Sequence, residues 1–436
     1  MQNRLASGPG HRPRSLALRA IAATAALCCA GMASAQQTAT SSVTLYGIAD
    51  IGITQVTGLK GGSVTQIASG IMEGSRWGLR GNEDLGGGYR TVFTLESRVE
   101  LDTGANSNRP ISSSQLSDKF SSASLLGLPT TFQPAVNGVN ALLANEFGVN
   151  VGANGNRLFD RQAFIGVVTP VGAILAGRQY TPAFETSATY DIMGTQSGLA
   201  AGQIVAFPAV LEIRTSNSLA YRIVKDGISG SLMYAAGEVA GDASKSRLLG
   251  MNANYKTDTY AFGFGHNTRN NELGQKSLTT SVLGASMNYS NNSTVSAFVA
   301  KITDDNPSSL SAITPALTGA IGASNAMLVQ TAFVNAFKQD GLLSHIGYRY
   351  VSGLNTISLA FNQYKDNRPA AADVRSYGAA YTYALSKRTD LNAVLVQYDN
   401  KNLAQVAPGG NGYIGGVTAS AGTDSTGVAF GIRHRF

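Results

Sequence analysis

Apolar and polar residues alternate along the chain from residue 43 onward. In VTLYGIADIGIT, Val43, Leu45 and Ile51 share one parity, whereas Thr44 and Asp50 share the other. This period of two belongs to a β-strand with one apolar face and one polar face. The 3.6-residue apolar stripe of a helix does not run through these segments, so the pattern predicts strands.

The same alternation recurs in sixteen segments of about ten residues, namely 43–54, 75–83, 89–100, 159–169, 172–180, 216–224, 228–238, 246–256, 259–269, 279–290, 293–304, 343–351, 355–366, 375–386, 389–400 and 426–436. Short turns alternate with long polar connections, which is typical of a transmembrane barrel, whereas a soluble sandwich has shorter strands. The pattern therefore predicts an all-β fold, a 16-stranded antiparallel transmembrane β-barrel. Sixteen strands leave a water-filled lumen.

Three connections are long: 101–158, 181–215 and 305–342. Connections of this length are usually functional or disordered. The residues of 181–215 are compatible with a loop that folds into the lumen and with one that lies outside over the mouth. The alternation of the neighbouring strands does not decide between these two positions.

The start of the chain has the order of residues that marks an export signal. Residues 1–19 contain four arginines and no acidic residue. An apolar run follows from Ala20 to Ala30, and Ala33-Ser34-Ala35 forms a small-x-small cleavage site. The apolar run is too short to span about 30 Å of hydrocarbon. We therefore predict a signal peptide at 1–35 and a single barrel domain at 36–436.

Removal of this signal changes both the charge and the cysteine content. Four of the 33 basic residues precede residue 36, so 29 bases face 26 acids and the formal net charge falls from +7 to +3. A net charge this small gives little support to a nucleic-acid partner. Cys28 and Cys29 both lie in the signal, so the mature chain has no disulfide framework.

Candidate catalytic motifs are weak. The glycine-rich stretch SRWGLRGNEDLGGGYR at 75–90 contains neither phosphate-loop motif and is followed by a strand pattern, so we interpret GNEDLGGG as a turn. His266, His345 and His434 are scattered along the chain. This spacing suggests neither a metal site nor a catalytic dyad, and we predict a protein that is not an enzyme and needs no cofactor.

Arginines at the ends of strands are the most informative charged residues. Arg76, Arg161 and Arg214 begin segments that border long connections. An arginine that faces lipid near the bilayer midplane costs about 2–4 kcal/mol, so these side chains should face water or protein if they lie at that depth. A position at the level of the membrane interface stays open, and alternation does not decide the facing of Arg161, whose parity includes Ala163 and Ile165.

Several motifs together resemble one known family, the Gram-negative general porins, and in particular their β-proteobacterial branch. The matching stretches are SSVTLYGIADIGI at 41–53, SRWGLRGNEDLGGG at 75–88, TVFTLES at 91–97, LFDRQAFIGV at 158–167, GRQY at 177–180, YALSKRTDL at 383–391 and GIRHRF at 431–436. The resemblance implies a homotrimer in outer-membrane lipid that passes ions and small hydrophilic solutes by diffusion. It also implies that 181–215 folds inward and that Phe436 is read by the outer-membrane assembly machinery.

The resemblance also implies roles for individual residues. The constriction arginines of the family fall on Arg76, Arg161 and Arg214, and Arg178 in GRQY is a family hallmark whose facing stays open. The acidic run of the family's constriction loop is missing from 181–215, where Glu185 and Asp191 replace it by location only. The connection 101–158 is longer than the family leads one to expect.

From these observations we expect a diffusion porin with a weak preference for anions. The alternative is a substrate-specific channel in which 101–158 and 181–215 form a binding site. A rival from another class is an exported soluble all-β binding protein or enzyme, which would be extracted without detergent.

Overall fold

The computed structural model describes residues 41–106, 116–147, 157–195, 197–205, 211–410 and 415–436. The predicted signal peptide at 1–35 and parts of the connection 101–158 lie outside these ranges. The strands within them are β1 Ser42–Leu59, β2 Gly62–Ser69, β3 Arg76–Gly86, β4 Tyr89–Arg98, β5 Gln162–Thr169, β6 Gly172–Tyr180, β7 Arg214–Lys225, β8 Ile228–Ala235, β9 Leu248–Lys256, β10 Tyr260–Asn270, β11 Lys276–Ser290, β12 Ser293–Asp304, β13 Gln339–Ser352, β14 Asn355–Asp366, β15 Val374–Ala384, β16 Thr389–Asn400 and β17 Ser425–Arg435.

These strands form one closed antiparallel ring. Each strand from β3 to β17 pairs with the next, and β17 pairs with β1 in a register that sets Ile51 opposite Ile432. Because β2 and β3 both pair with β1, the seventeen strands occupy sixteen positions in the ring. The predicted 16-stranded barrel is confirmed.

The connections sort by length between the two ends of the barrel. Short turns such as Gly87–Gly88 and Asp226–Gly227 lie at one end, which we call the turn end, and the long connections lie at the other, the loop end. Each of the sixteen predicted segments overlaps one strand, although some bounds differ: β5 begins at Gln162 and not at residue 159, and β8 ends at Ala235 and not at residue 238. The one observed strand that was not among the predicted segments is β2. It shares its ring position with β3, and residues 70–75 between the two strands turn inward.

The outer surface of the ring is apolar. Leu283 on β11 and Phe430 on β17 are 61% and 62% exposed, and Leu219, Ile346 and Leu395 are exposed in the same way on other strands. A surface of this kind is the lipid-facing band of a barrel whose closed ring leaves no unpaired edge. Among the helices that the structure describes, none is both long enough and apolar enough to cross a bilayer.

The connection from β6 to β7 folds into the lumen, where its helix packs against the inner face of the barrel wall. The helices are α1 Asp118–Ser121, α2 Gln133–Phe147, α3 Pro182–Tyr190, α4 Ile313–Ile321 and α5 Ala323–Phe337. Helix α3 contacts β9, β10 and β11, and the fully buried Tyr190 lies against Gly284. A Cβ at Gly284 would be 2.3 Å from the Tyr190 ring, so only glycine fits at this contact.

Beyond α3, hydrogen bonds hold the same connection to successive strands. The backbone N–H of Ile192 donates to Nε2 of His345 on β13 at 2.9 Å. The hydroxyl of Tyr398 on β16 donates to the carbonyl of Gly198 at 2.7 Å. These contacts cross the lumen from the β6–β7 side, so the connection 181–215 is an inward loop, as the resemblance implies.

We expect Gly284→Leu to displace Tyr190 and with it α3, because the new side chain needs the space that the ring occupies. Overpacking of this kind costs about 1–3 kcal/mol, which the closed barrel should tolerate. Single-channel recording should therefore show a changed conductance from a barrel that still folds. Gly319→Leu is the control, since a Cβ at Gly319 meets nothing within 4 Å. An unchanged conductance in Gly284→Leu would contradict the proposed role of the contact between Gly284 and Tyr190.

Candidate pore constriction

Five arginines come together at one level of the barrel wall. Arg76 and Arg214 begin β3 and β7, Arg98 ends β4, Arg161 precedes β5, and Arg178 lies near the end of β6. In an antiparallel sheet the starts and ends of successive strands meet at the same edge, and the register confirms this by setting Arg76 opposite Arg98. All five arginines line a cavity of about 620 Å³ in the lumen. We call them the arginine wall.

Arg161 lines this cavity although its parity matches that of the outward residue Ile165. The ladder of β5 with β4 begins only at Gln162, opposite Glu96, so residue 161 precedes the strand and does not follow its alternation. Its backbone N–H donates to the Glu96 carbonyl at 3.2 Å. Its Nε donates to Glu96 Oε1 at 2.8 Å, which directs the guanidinium inward.

A tyrosine links two members of the wall. The hydroxyl of Tyr180 accepts hydrogen bonds from Arg161 at 3.3 Å and from Arg214 at 3.0 Å. The Arg214 guanidinium also lies 4.6 Å from the centre of the Tyr180 ring, a cation–π contact. On its other side Tyr180 stacks against Phe184 of α3, with ring centres 5.3 Å apart.

Arg178 and Arg214 differ from the other wall arginines in their partners. Throughout the described part of the chain, neither has a carboxylate within 4.0 Å. Arg178 donates instead to the backbone carbonyl of Asp160 at 2.6 Å and to the Ser216 hydroxyl at 3.0 Å. Hydrogen bonds to neutral groups, and for Arg214 the contact with the Tyr180 ring, thus hold both guanidinium groups in place.

Arg76 and Arg98 are tied to acids. Arg76 bonds Glu73 at 2.9 Å, and Glu73 also accepts from Arg433 and Arg435. Arg98 lies 3.6 Å from Asp160 and 3.8 Å from Glu100. Burial raises the pKa of Glu100 to about 8, although Arg98 acts in the opposite direction, so Glu100 is mostly protonated at neutral pH.

The inward loop supplies few free acids to the cavity. Glu185 lines it, but Arg222 donates to both of its carboxylate oxygens, at 2.7 and 2.9 Å. Asp191 is not among the lining residues. Its buried carboxylate accepts from the backbone N–H groups of Met193 and Ala201 at 2.9 and 3.0 Å, so it braces the loop internally.

Sequence reasoning did not single out several residues that line the cavity, namely Glu73, Glu96, Arg98, Glu212 and Arg222. Glu96 and Arg98 share the polar parity of β4, and this alternation is the signal that predicts a lumenal position for both side chains. Glu212 lies in the inward loop, where alternation gives no signal, and its burial raises its pKa despite the nearby Arg269.

The other predicted contributor is the connection 101–158, of which residues 101–106, 116–147 and 157–158 are described. Of its described residues, none lines the cavity, whereas the inward loop contributes Phe184, Glu185 and Leu211. No group of three or more His, Cys, Asp or Glu side chains suited to a metal ion occurs within the described ranges.

The closed barrel, its inward loop and the lumenal arginine wall are the features of a channel. The chain belongs to the Gram-negative porin family, whose model matches residues 20–403. It is similar to outer membrane porin protein 32 of Delftia acidovorans, with 26% identity over 96% of this chain and 99% of that protein. A shorter match to an outer membrane porin protein of Bordetella pertussis has 43% identity over 94 residues, or 18% of this chain and 24% of that protein.

Solved structures agree on the fold. The anion-selective porin from Comamonas acidovorans has a TM-score of 0.64 and 22% identity, covering 91% of this chain and all of that one. Salmonella typhi OmpF in complex with daunomycin has a TM-score of 0.54 and 15% identity, covering 90% of this chain and 97% of that one. The protein is therefore an outer-membrane porin, a channel for passive diffusion.

We expect Glu96→Gln to destabilise the barrel, because it leaves the buried Arg161 without a carboxylate. Breaking a buried ion pair from one side costs on the order of 3 kcal/mol. Thermal unfolding of the purified protein would measure this loss. Glu83→Gln removes the same charge from an exposed position on β3 and should leave the unfolding temperature unchanged, whereas equal effects of both substitutions would contradict the structural role of the pair.

We also expect ion selectivity to depend on pH through Glu100. As the pH rises through about 8, Glu100 loses its proton and places a negative charge 3.8 Å from Arg98, so the preference for anions should fall. Reversal potentials measured across this pH range would show the change. Glu100→Gln should remove the dependence, and a pH response that survives this substitution would assign it to another group.

Proposed function

We propose that this porin prefers anions and that the arginine wall produces the preference. The observation that carries the proposal is that Arg178 and Arg214 line the lumen while no described carboxylate lies within 4.0 Å of either. Arginine stays protonated at any physiological pH, so their charge is permanent. Glu185 and Asp191 are both occupied by protein partners and offer little negative charge in return.

Physical chemistry links this arrangement to selectivity. Arginines that line a pore favour anions, and low-dielectric walls focus the field of fixed charges into the lumen. Arg76, Arg161 and Arg214 would form the basic side of the constriction, and Glu185 its partly neutralised opposite side. The similarity in fold to a porin named as anion-selective agrees with this proposal.

We propose further that the protein is a homotrimer without catalytic activity or cofactors. One similar solved structure, OmpT of Vibrio cholerae, is described in its trimer form, and the apolar outer surface would contact lipid or a neighbouring subunit. Small hydrophilic solutes and ions would be its cargo, with no role for nucleic acid. Residues 1–35 would be removed on export. Gels of unheated and heated samples would test the oligomer.

Phe436 would take part in recognition by the outer-membrane assembly machinery. Its backbone exchanges two hydrogen bonds of 3.1 Å with Gly47, and its ring covers the space where a Gly47 side chain would lie. The terminal aromatic residue is thus 47% exposed on the outer surface next to the seam that closes the barrel. A partner that recognises the paired strands β1 and β17 would contact this ring.

The second candidate function is a substrate-specific channel, favoured by the aromatic surface of Tyr180 and Phe184 beside Arg214. Such a surface suits a solute with both an apolar face and a negative charge. The inward loop would contribute to this site, whereas the described residues of 101–158 do not line the cavity. Saturable block of conductance by one solute would support this candidate.

We expect the wild-type channel to give an anion-selective reversal potential under a salt gradient. The double variant Arg178→Gln/Arg214→Gln should shift this potential clearly toward cations, since both charges without an acidic partner are removed. Arg375→Gln is the matched control, because Arg375 is exposed on β15 and does not line the cavity. A cation-selective wild-type channel would contradict the proposal.

A further inference from the structure

Helices from two different connections form one hydrophobic core at the loop end of the barrel. Helices α1 and α2 belong to the β4–β5 connection, and α4 and α5 belong to the β12–β13 connection. Their shared core consists of buried apolar side chains, among them Phe120, Val136, Val139, Leu143, Ile313, Leu317, Val329, Phe333 and Phe337. We call the unit formed by 116–147 and 310–337 the mouth bridge.

The order of strands places the two halves of this bridge on opposite sides of the barrel. The β4–β5 connection joins the third and fourth of the sixteen ring positions. The β12–β13 connection joins the eleventh and twelfth, eight positions away. Because eight of sixteen positions is half of the ring, a core built from both connections lies across the opening.

Neighbouring loops hold the bridge at both ends. The backbone N–H of Asp118 donates to the Gln405 side chain, and the Asp118 carboxylate accepts from the N–H of Ala421 at 3.3 Å, which joins α1 to the β16–β17 loop. On the other side, the Ser309 N–H donates to Glu272 at 2.6 Å. The bridge is thus attached to two loops of the rim, β16–β17 and β10–β11.

The bridge carries almost no charge. No charged residue occurs between Lys119 and Glu146, or between Asp305 and Lys338. A unit with so few charges, confined to Asp118, Lys119 and Glu146, can obstruct a path sterically but contributes little fixed field to it. The bridge and the arginine wall therefore differ both in their position along the pore and in the property of the solute that each can sense.

We propose that the mouth bridge is a steric filter on the loop-end side, in series with the charge-selective arginine wall and independent of it. It limits the size of the solutes that reach the constriction from that side and leaves the turn end open. The channel is therefore asymmetric in size exclusion while its ion selectivity is set elsewhere.

Solutes added to one face of a planar bilayer at a time can show whether the size limit from the loop end differs from the size limit from the turn end. Neutral polyethylene glycols of graded size, added to one face at a time, lower the conductance only when they enter the pore. For the wild-type channel, we expect a range of sizes that act from the turn end and have no effect from the loop end. Equal size limits from both faces would overturn the proposal.

Excision of 107–156 removes the β4–β5 half of the bridge with little strain on the barrel. The Asn106 side chain lies 3.5 Å from the Arg157 carbonyl, so a short glycine linker can join the two ends. We expect the excised channel to lose the asymmetry and to gain conductance with an unchanged reversal potential. Unchanged asymmetry in the excised channel would refute the filter, whatever the outcome for anion selectivity.

A point substitution provides a second test that keeps the chain complete. Phe333→Ala removes a side chain with 0% exposure from the core of the bridge and should loosen it, moving the loop-end size limit toward that of the turn end. Met327→Ala on the same helix is the control, because Met327 is 62% exposed. If Phe333→Ala keeps the asymmetry and protease cleavage shows that its bridge is loosened, the proposal fails.

Discussion

Hydrocarbon cannot satisfy a peptide group, so every backbone N–H and C=O of this sheet has to be paired within the protein. The requirement is most demanding at β1, which pairs with β17 on one side and with both β2 and β3 on the other. Where the chain leaves the ring at 70–75, the Asp50 carboxylate accepts from the N–H groups of Ile71, Met72 and Glu73 at 2.7 to 3.0 Å. The side chain thereby completes a seam that backbone pairing alone leaves open, and the lumen depends on that closure.

Closure also brings distant parts of the chain to face each other across water. The β3–β7 side carries arginine, and the opposite side carries glycines such as Gly284 that let the inward loop approach closely. The acidic side chains of the loop hold it in position, since Asp191 accepts hydrogen bonds from backbone N–H groups and Glu185 accepts them from Arg222. The result is a basic wall with little free negative charge opposite it. Mechanical support and electrostatics are therefore linked, because the same carboxylates cannot serve both.

Local alternation predicts the barrel well, since each ten-residue segment carries its own period-two pattern. The positions of Arg76, Arg161 and Arg214 at the starts of segments group all three in the sequence. The facing of Arg161 could not be predicted, because residue 161 precedes the first ladder pair of β5 and does not follow the alternation of that strand. Asp191 lies away from the cavity because its partners are backbone groups that no pattern reveals. The packing of 116–147 against 310–337 depends on contacts between connections half a ring apart, which no local pattern in the sequence reveals.

The hydrogen bonds that hold the inward loop have a consequence for the order of folding. Tyr190 bonds Asn254, Ile192 bonds His345, and Gly198 bonds Tyr398, across 64, 153 and 200 residues of chain respectively. Contacts with such long sequence separation form late, since each requires the closure of a long loop. The loop therefore lacks these hydrogen bonds until strands synthesised long after it have joined the sheet. A barrel caught before its last strands join would have an unsupported loop, so narrowing of the pore and completion of the wall belong to the same late event.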